Sequence, residues 1–262
     1  MNIFTNILLS LLIILIIFIV VNHLNLQENF NNENNINHIP KLIISTYYDK
    51  NKIPQKVFEN IKTYAPNYKY ILYDDNEIIS FLKKYYPKNV LQAFHELTRG
   101  AHKADVFRYC YLYIHGGIYL DIKTKLIEPI EQTFNIPNVN FYTVLSMHKP
   151  TIYQGIIASA PRNPIFLELI DYIVNVKKPV KTYFEFTSDF YKKLRVIYHF
   201  YEFQNGYYKD KNNKFNLYLF EEKCSRNPED CEDGLDKYKR CCYIYNQNKK
   251  IIKTRYSDFP WN

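Results

Sequence analysis

Glycine is scarce in this sequence, with 6 residues in 262, and tryptophan occurs once, whereas tyrosine occurs 26 times and aromatic residues make up 17% of the chain. Asparagine, isoleucine and lysine are also abundant, a mixture that reflects coding bias in an AT-rich genome. A single surface Tyr, Asn or Lys therefore carries little functional meaning. The formal charge of +8 would suit nucleic acid, an anionic membrane surface or an anionic small molecule. No basic stripe and no nucleic-acid motif is present, and Lys and Arg are interleaved with Asp and Glu, so nucleic acid is not an expected partner. No C-x-x-C pair occurs among the five cysteines, which argues against a zinc knuckle. No N-x-S/T sequon and no internal repeat is found. The length and the 47% hydrophobic content suit one substantial α/β domain with accessory segments, and not two domains.

Basic residues are missing from the start of the chain, where no Lys or Arg precedes Lys41. Residues 3–21 carry no charge at all. At about 1.5 Å per residue they can span a hydrocarbon core of about 30 Å. The run is longer than a usual signal-peptide core and no A-x-A-like cleavage site follows it, so a transmembrane signal anchor over 1–21 is favoured over a cleaved signal peptide. The flanking charges specify orientation only weakly. Residues 22–38 are polar, Asn-rich and without apolar periodicity, and are expected to form a flexible stem. The folded domain is expected over 39–262.

From Ile39 onward, strand-like and helix-like patterns alternate. Strands are expected over 41–46, 68–75, 118–121, 141–145 and 156–159, and helices over 55–63, 76–85, 91–115 with a break near Gly100, and 164–175. The opening β-α-β-α-α-β order predicts an α/β domain with a mostly parallel central sheet flanked by helices. Ligands of such sheets bind beyond the carboxyl ends of the strands, which would gather Tyr47, Asp74, Asp75 and Asp121 around one crevice. The last quarter has no regular pattern and is expected to be irregular.

Four cysteines, Cys224, Cys231, Cys241 and Cys242, fall in one short polar segment of that last quarter. Adjacent cysteines make awkward ligands for one ion, so two disulfides are expected, with the pairing open. Disulfides require an oxidising compartment, which places the domain in a lumen or outside the cell. Cys110 lies among Tyr and Leu residues and is expected to be a buried thiol.

Within AHKADVFRYCYLYIHGG, helical spacing puts Ala101, Asp105, Arg108 and Leu112 on one face. Alone, Asp105 and Arg108 would be a solvated intrahelical ion pair contributing a few tenths of a kcal/mol. Gly116 and Gly117 then permit a sharp turn into a strand that delivers Asp121 where an apolar run meets polar residues. A carboxylate there can bind a divalent cation through oxygen.

The string AHKADVFRYCYLYIHGGIYLD resembles glycosyltransferase family 32, the sugar transferases with an Asp-x-Asp motif that include fungal initiating mannosyltransferases. IPKLIISTYY, YKYILYDD and YQGIIASAPRNPIFLELI resemble flanking segments of that family, so the resemblance covers about 39–172. It implies a GT-A nucleotide-diphospho-sugar transferase fold with an N-terminal transmembrane helix. It also implies a nucleotide-sugar donor, a glycan, glycoprotein or glycolipid acceptor, and a divalent cation, Mn²⁺ or Mg²⁺. By matching positions, Tyr47 would stack on the nucleobase, Asp105 and Arg108 would contact the donor sugar, and Asp121 would be the first metal ligand. The terminal SDFPW would supply Asp258 as a second ligand and Trp261 as a lid over the donor. The implied setting is a single-pass membrane protein with its domain in a Golgi- or ER-like lumen or otherwise extracytoplasmic.

One residue departs from the family pattern: the second motif Asp is Lys123, in LDIKT. Three readings stay open. In one, Asp121 shares a cation with diphosphate oxygens, water and another carboxylate. Alternatively Lys123 itself supplies the positive charge and metal is dispensable, or the chain is a catalytically silent relative. The implied reaction is transfer of a hexosyl or N-acetylhexosaminyl group to a hydroxyl with retention at the anomeric carbon. Asp189, Glu185 and Glu221 have no assignable role.

Overall fold

The computed structural model describes residues 38–231, 234–236 and 238–254. The expected anchor and stem, apart from His38, and Asp258 and Trp261 lie outside the described residues. Among the described residues no helix is long and apolar enough to cross a membrane.

The first half of the unit that begins at Ile39 winds as the pattern predicts. Strand β1 (Leu42–Thr46) leads to helix α1 (Gln55–Tyr64), strand β2 (Lys69–Tyr73), helices α2 (Asp75–Tyr85), α3 (Lys88–Glu96) and α4 (Gly100–His115), and strand β3 (Gly117–Leu120). β1 pairs in parallel with both β2 and β3. There follow β4 (Lys125–Leu126), the single-turn α5 (Ile130–Thr133), β5 (Phe141–Leu145), β6 (Ile152–Ser159), α6 (Ile165–Asn175) and α7 (Glu185–Tyr198). β7 (Gly206–Tyr208), β8 (Leu217–Ser225), β9 (Cys241–Asn246) and β10 (Lys249–Thr254) complete the described chain.

The sheet is mixed, in the order β2-β1-β3-β6-β5-β8-β9-β10-β4, with β7 beside β8. This corrects the expectation of a mostly parallel sheet. Parallel pairing requires a crossover, and only the early β-α-β units and the β5 to β8 connection provide one. β5 to β6 and β9 to β10 are short hairpins, which impose antiparallel pairing. The last quarter, expected to be irregular, contains three long strands. Its Lys and Glu content masked the apolar run Leu217 to Phe220, whose side chains go alternately to the two faces of the sheet.

Both faces of the sheet are buried, which explains the near-continuous apolar strands. Ile44, Tyr119, Phe141, Ile157 and Leu217 pack toward the helical layer of α2, α3, α4, α6 and α7. Their neighbours Ile43, Ile118, Tyr142, Ile156 and Tyr218 pack on the opposite side with Ile61, Ile130, Ile244 and Ile252. The turn from α4 into β3 depends on two glycines. Gly116 and Gly117 have φ of +63° and +101°, and a Cβ on Gly117 would lie 2.8 Å from the Leu42 carbonyl oxygen. Disulfides join Cys224 to Cys242, cross-linking β8 and β9 where they pair, and Cys231 to Cys241, tying the segment after β8 to the start of β9. Cys110 is free and buried.

Candidate active site

Beyond the carboxyl ends of β1 and β3 lies a crevice of about 340 Å³, a size suited to a small-molecule ligand. The start of α4 forms one wall, and residues 151–155 of the antiparallel β6 and its approach form another. Tyr47, Asp105, Arg108, Asp121 and Lys123, which the sequence analysis singled out, all line it. Asp75 lines it too. Asp74 does not, because its carboxylate caps α2 in a reciprocal capping box with Glu77.

The Asp105–Arg108 pair is not the solvated ion pair that helical spacing alone would give. Both side chains are buried, at 8% and 4% exposure, and Arg108 Nη2 lies 3.4 Å from Asp105 Oδ1. The same nitrogen lies 3.4 Å from Asp121 Oδ1, on a carboxylate that is 37% exposed. The guanidinium therefore bridges a buried carboxylate and one that faces the crevice. Its Nε donates to the Ala104 carbonyl at 3.2 Å, its Nη1 donates to the Gln154 carbonyl, and its plane sits 4.2 Å from the Tyr119 ring centroid. That combination of fork, stacking and permanent charge is what arginine provides and lysine does not. Tyr119 in turn donates to Asp121 Oδ1 at 3.0 Å.

Burial pushes the Asp105 carboxyl up to about 7; Arg108 pulls it down and Asp121 adds to the rise. Arg108 remains charged: burial works against its charge, and Tyr119, Asp105 and Asp121 outweigh that and raise its pKa. With the Gln154 amide oriented to satisfy its neighbours, its nitrogen donates to Asp105 Oδ1 at 3.1 Å and its oxygen accepts from the Thr187 N–H at 3.1 Å.

Backbone geometry sets Asp121. Its N–H donates to the Gly155 carbonyl at 2.8 Å, and its carbonyl accepts from the Thr124 N–H at 2.8 Å, closing a turn over 121–124. Gly155 leaves room for the carboxylate: a Cβ there would lie 2.8 Å from Asp121 Oδ2 and 2.5 Å from the Tyr153 hydroxyl. The N-terminal end of α4 opens on the same crevice. Its cap residue Arg99 makes no side-chain cap and its first turn carries no acidic residue, so the positive end of the helix favours an anionic ligand.

The described residues do not supply the donor set of an Asp-x-Asp metal site. Asp121 Oδ1 is engaged by Arg108 and Tyr119, and an ammonium occupies the position of the second carboxylate. The grouping of Glu222 with Cys224 and Cys242 is no alternative, since both sulfurs are in a disulfide.

Tyr119, Tyr153, Gln154 and Gly155 also line the crevice and are not among the residues that the sequence pattern singles out. Their available signal was local: a Gln-Gly pair interrupting an apolar strand, and a Tyr two residues before Asp121. Of the residues without a role, Glu185 accepts from the Tyr172 hydroxyl, Glu221 pairs with Lys149 and Lys223, and Asp189 is buried in α7. None of the three lines the crevice.

Residues 52–141 match the family described as glycosyltransferase sugar-binding region containing DXD motif. The segment holds Asp105, Arg108, Asp121 and Lys123. Mannosyl phosphorylinositol ceramide synthase CSH1 of Saccharomyces cerevisiae is 31% identical over 144 residues, covering 53% of this chain and 36% of that protein. The initiation-specific alpha-1,6-mannosyltransferase of the same yeast is 35% identical over 95 residues, covering 36% and 20% respectively. Inositol phosphoceramide mannosyltransferase 3 of Schizosaccharomyces pombe is 32% identical over 102 residues, covering 38% and 28%. The chain thus spans about a third or less of the length of these curated relatives. Among solved structures, PaToxG glycosyltransferase aligns at 16% identity and a TM-score of 0.46 over 64% of this chain and 74% of that one.

Proposed function

We propose that the crevice is the donor site of a glycosyltransferase that moves a hexosyl group from a nucleotide-diphosphate sugar to an acceptor hydroxyl. The observation that carries this reading is the convergence of Asp105, Arg108, Asp121 and Lys123 on one cavity within a segment of the sugar-binding family. Mannose is the first sugar to test, because the relatives are named mannosyltransferases and a mannosyl phosphorylinositol ceramide synthase. Their names also point to a glycan or glycolipid acceptor.

In the reaction, the bond between the anomeric carbon and the diphosphate oxygen breaks and its electron pair leaves with the diphosphate. A bond forms from the acceptor oxygen to the anomeric carbon, and the acceptor proton passes to solvent or to the leaving group. The difficulty is charge: the diphosphate gains negative charge while the sugar becomes oxocarbenium-like. The Lys123 ammonium offsets the first, helped by the field of Arg108, whose own N–H groups are committed within the protein, while the Asp121 carboxylate faces the second. Asp105 holds Arg108 in place from below, and its accepting oxygens orient sugar hydroxyls. Tyr47, at the end of β1, stacks on the nucleobase. The disulfides and the uncharged N-terminal run support a membrane-anchored domain in an oxidising lumen. Retention at the anomeric carbon follows from the family resemblance.

The test is a panel of GDP-, UDP- and dTDP-sugars offered to the purified chain, with release of nucleoside diphosphate as the readout. At least one donor is expected to turn over, and Asp121→Asn is expected to slow it by about 100-fold or more. Turnover unaffected by Asp121→Asn would remove the assignment. Nucleotide binding without turnover of any donor would instead favour a silent sugar-nucleotide-binding relative.

A further inference from the structure

We infer that Lys123 takes the place of the divalent cation, binding the donor diphosphate directly and making donor recognition metal-independent. The inference rests on the donor-site reading above.

The turn over 121–124 presents Lys123 to the crevice. Ile122 is 6% exposed and packs with Ile53 and Val57, and Thr124 is 2% exposed. With Ile122 and Thr124 both buried and the Asp121 carbonyl bonded to the Thr124 N–H, the half-buried Lys123 between them lines the cavity. Asp121 and Lys123 are thus held two residues apart in one short turn, the spacing at which the family motif sets two carboxylates around one cation.

The charges are distributed so that Lys123 is the cation available to a ligand. Arg108 is shared between Asp105 and Asp121. Lys103, also on the crevice wall, holds its ammonium over the Phe94 ring at 5.2 Å. Among the described residues Lys123 makes no ion pair, although it stands two residues from Asp121. A divalent cation approaching Asp121 would meet an ammonium where the motif has a carboxylate, and one oxygen of Asp121 already engaged. A diphosphate approaching the same place would meet that ammonium and the uncapped start of α4. The arrangement repels the metal and attracts the anion the metal would have carried. In the transfer step the ammonium would offset the negative charge of the departing diphosphate.

The experiment is calorimetric titration of the full chain in mild detergent with GDP and with UDP, each in EDTA and in Mn²⁺. Wild type is expected to bind at least one of them in EDTA within about threefold of its affinity in Mn²⁺. Lys123→Ala should weaken that binding by about tenfold in both conditions, the scale of one charge-assisted hydrogen bond, and Lys123→Arg should restore most of it. Lys123→Asp should bind poorly in EDTA and recover about tenfold with Mn²⁺. Thermal melts establish that each variant is folded. Wild-type binding that collapses in EDTA and returns with Mn²⁺ would overturn the inference and leave the donor site standing, as would a folded Lys123→Ala that binds like wild type. Failure of both nucleotides under both conditions would overturn the donor-site reading itself, and this inference with it.

Discussion

At the scale of residues, Arg108 is the group on which the site depends. It touches Asp105, Asp121, the Gln154 carbonyl and the Tyr119 face together. Arg108→Lys keeps the charge and loses the fork. It should lower kcat/KM for donor turnover by about 100-fold or more, measured by nucleoside diphosphate release. Asp105 supplies a separate test through pH. Its folded pKa is raised from 3.8 to about 7, so the native state holds a proton that the unfolded chain has lost. This group favours folding most at low pH, and its contribution falls as pH rises from about 4 to 7. Urea unfolding of Asp105→Asn across that range should show a smaller decline in stability than wild type. Asp105, Arg108 and Asp121 were legible in the sequence through the family resemblance of the string 101–121, since the helix spacing alone implies only a solvated ion pair. The burial of the pair, and the parts played by Tyr119 and Gln154, depend on which strand lies beside β3, and no local pattern states that.

At the scale of elements, the crevice is the junction of β3 with β6. Gly155 is the point where the two strands make room for the Asp121 carboxylate. Gly155→Ala would place a methyl group 2.8 Å from Asp121 Oδ2 and should reduce donor turnover far more than it lowers the melting temperature, since Tyr153 can swing aside and Asp121 must rotate. Gly117→Ala should do the reverse in kind. Its φ of +101° and its closeness to the Leu42 carbonyl predict a loss of about 1–3 kcal/mol in equilibrium unfolding. The Cys231–Cys241 bridge closes a short loop of sequence separation 10 that does not line the crevice. Cys231→Ser with Cys241→Ser should cost about 2–3 kcal/mol of stability and leave donor turnover within about twofold. Elements up to β3 were legible because apolar period and turn chemistry agree there. The β8 to β10 strands were not, because β8 is placed by pairing with β5, far away in sequence, and its pairing with β9 is cross-linked by the Cys224–Cys242 bridge.

At the scale of the whole molecule, one mixed sheet with a helical layer brings together residues from 46 to 187 at a single crevice, and the family match covers the part of the chain that supplies most of its charges. The half that follows β3 shapes the site as well, through Tyr153, Gln154, Tyr183 and Phe184. The central claim is that a nucleotide-diphosphate ligand occupies this crevice. Hydrogen exchange of the full chain with and without saturating GDP or UDP tests it most directly. The account predicts slowed exchange at 100–108, 119–124 and 151–155 with at least one nucleotide. Protection confined to other segments, such as the helix over 88–96, or no protection with either nucleotide, would contradict it.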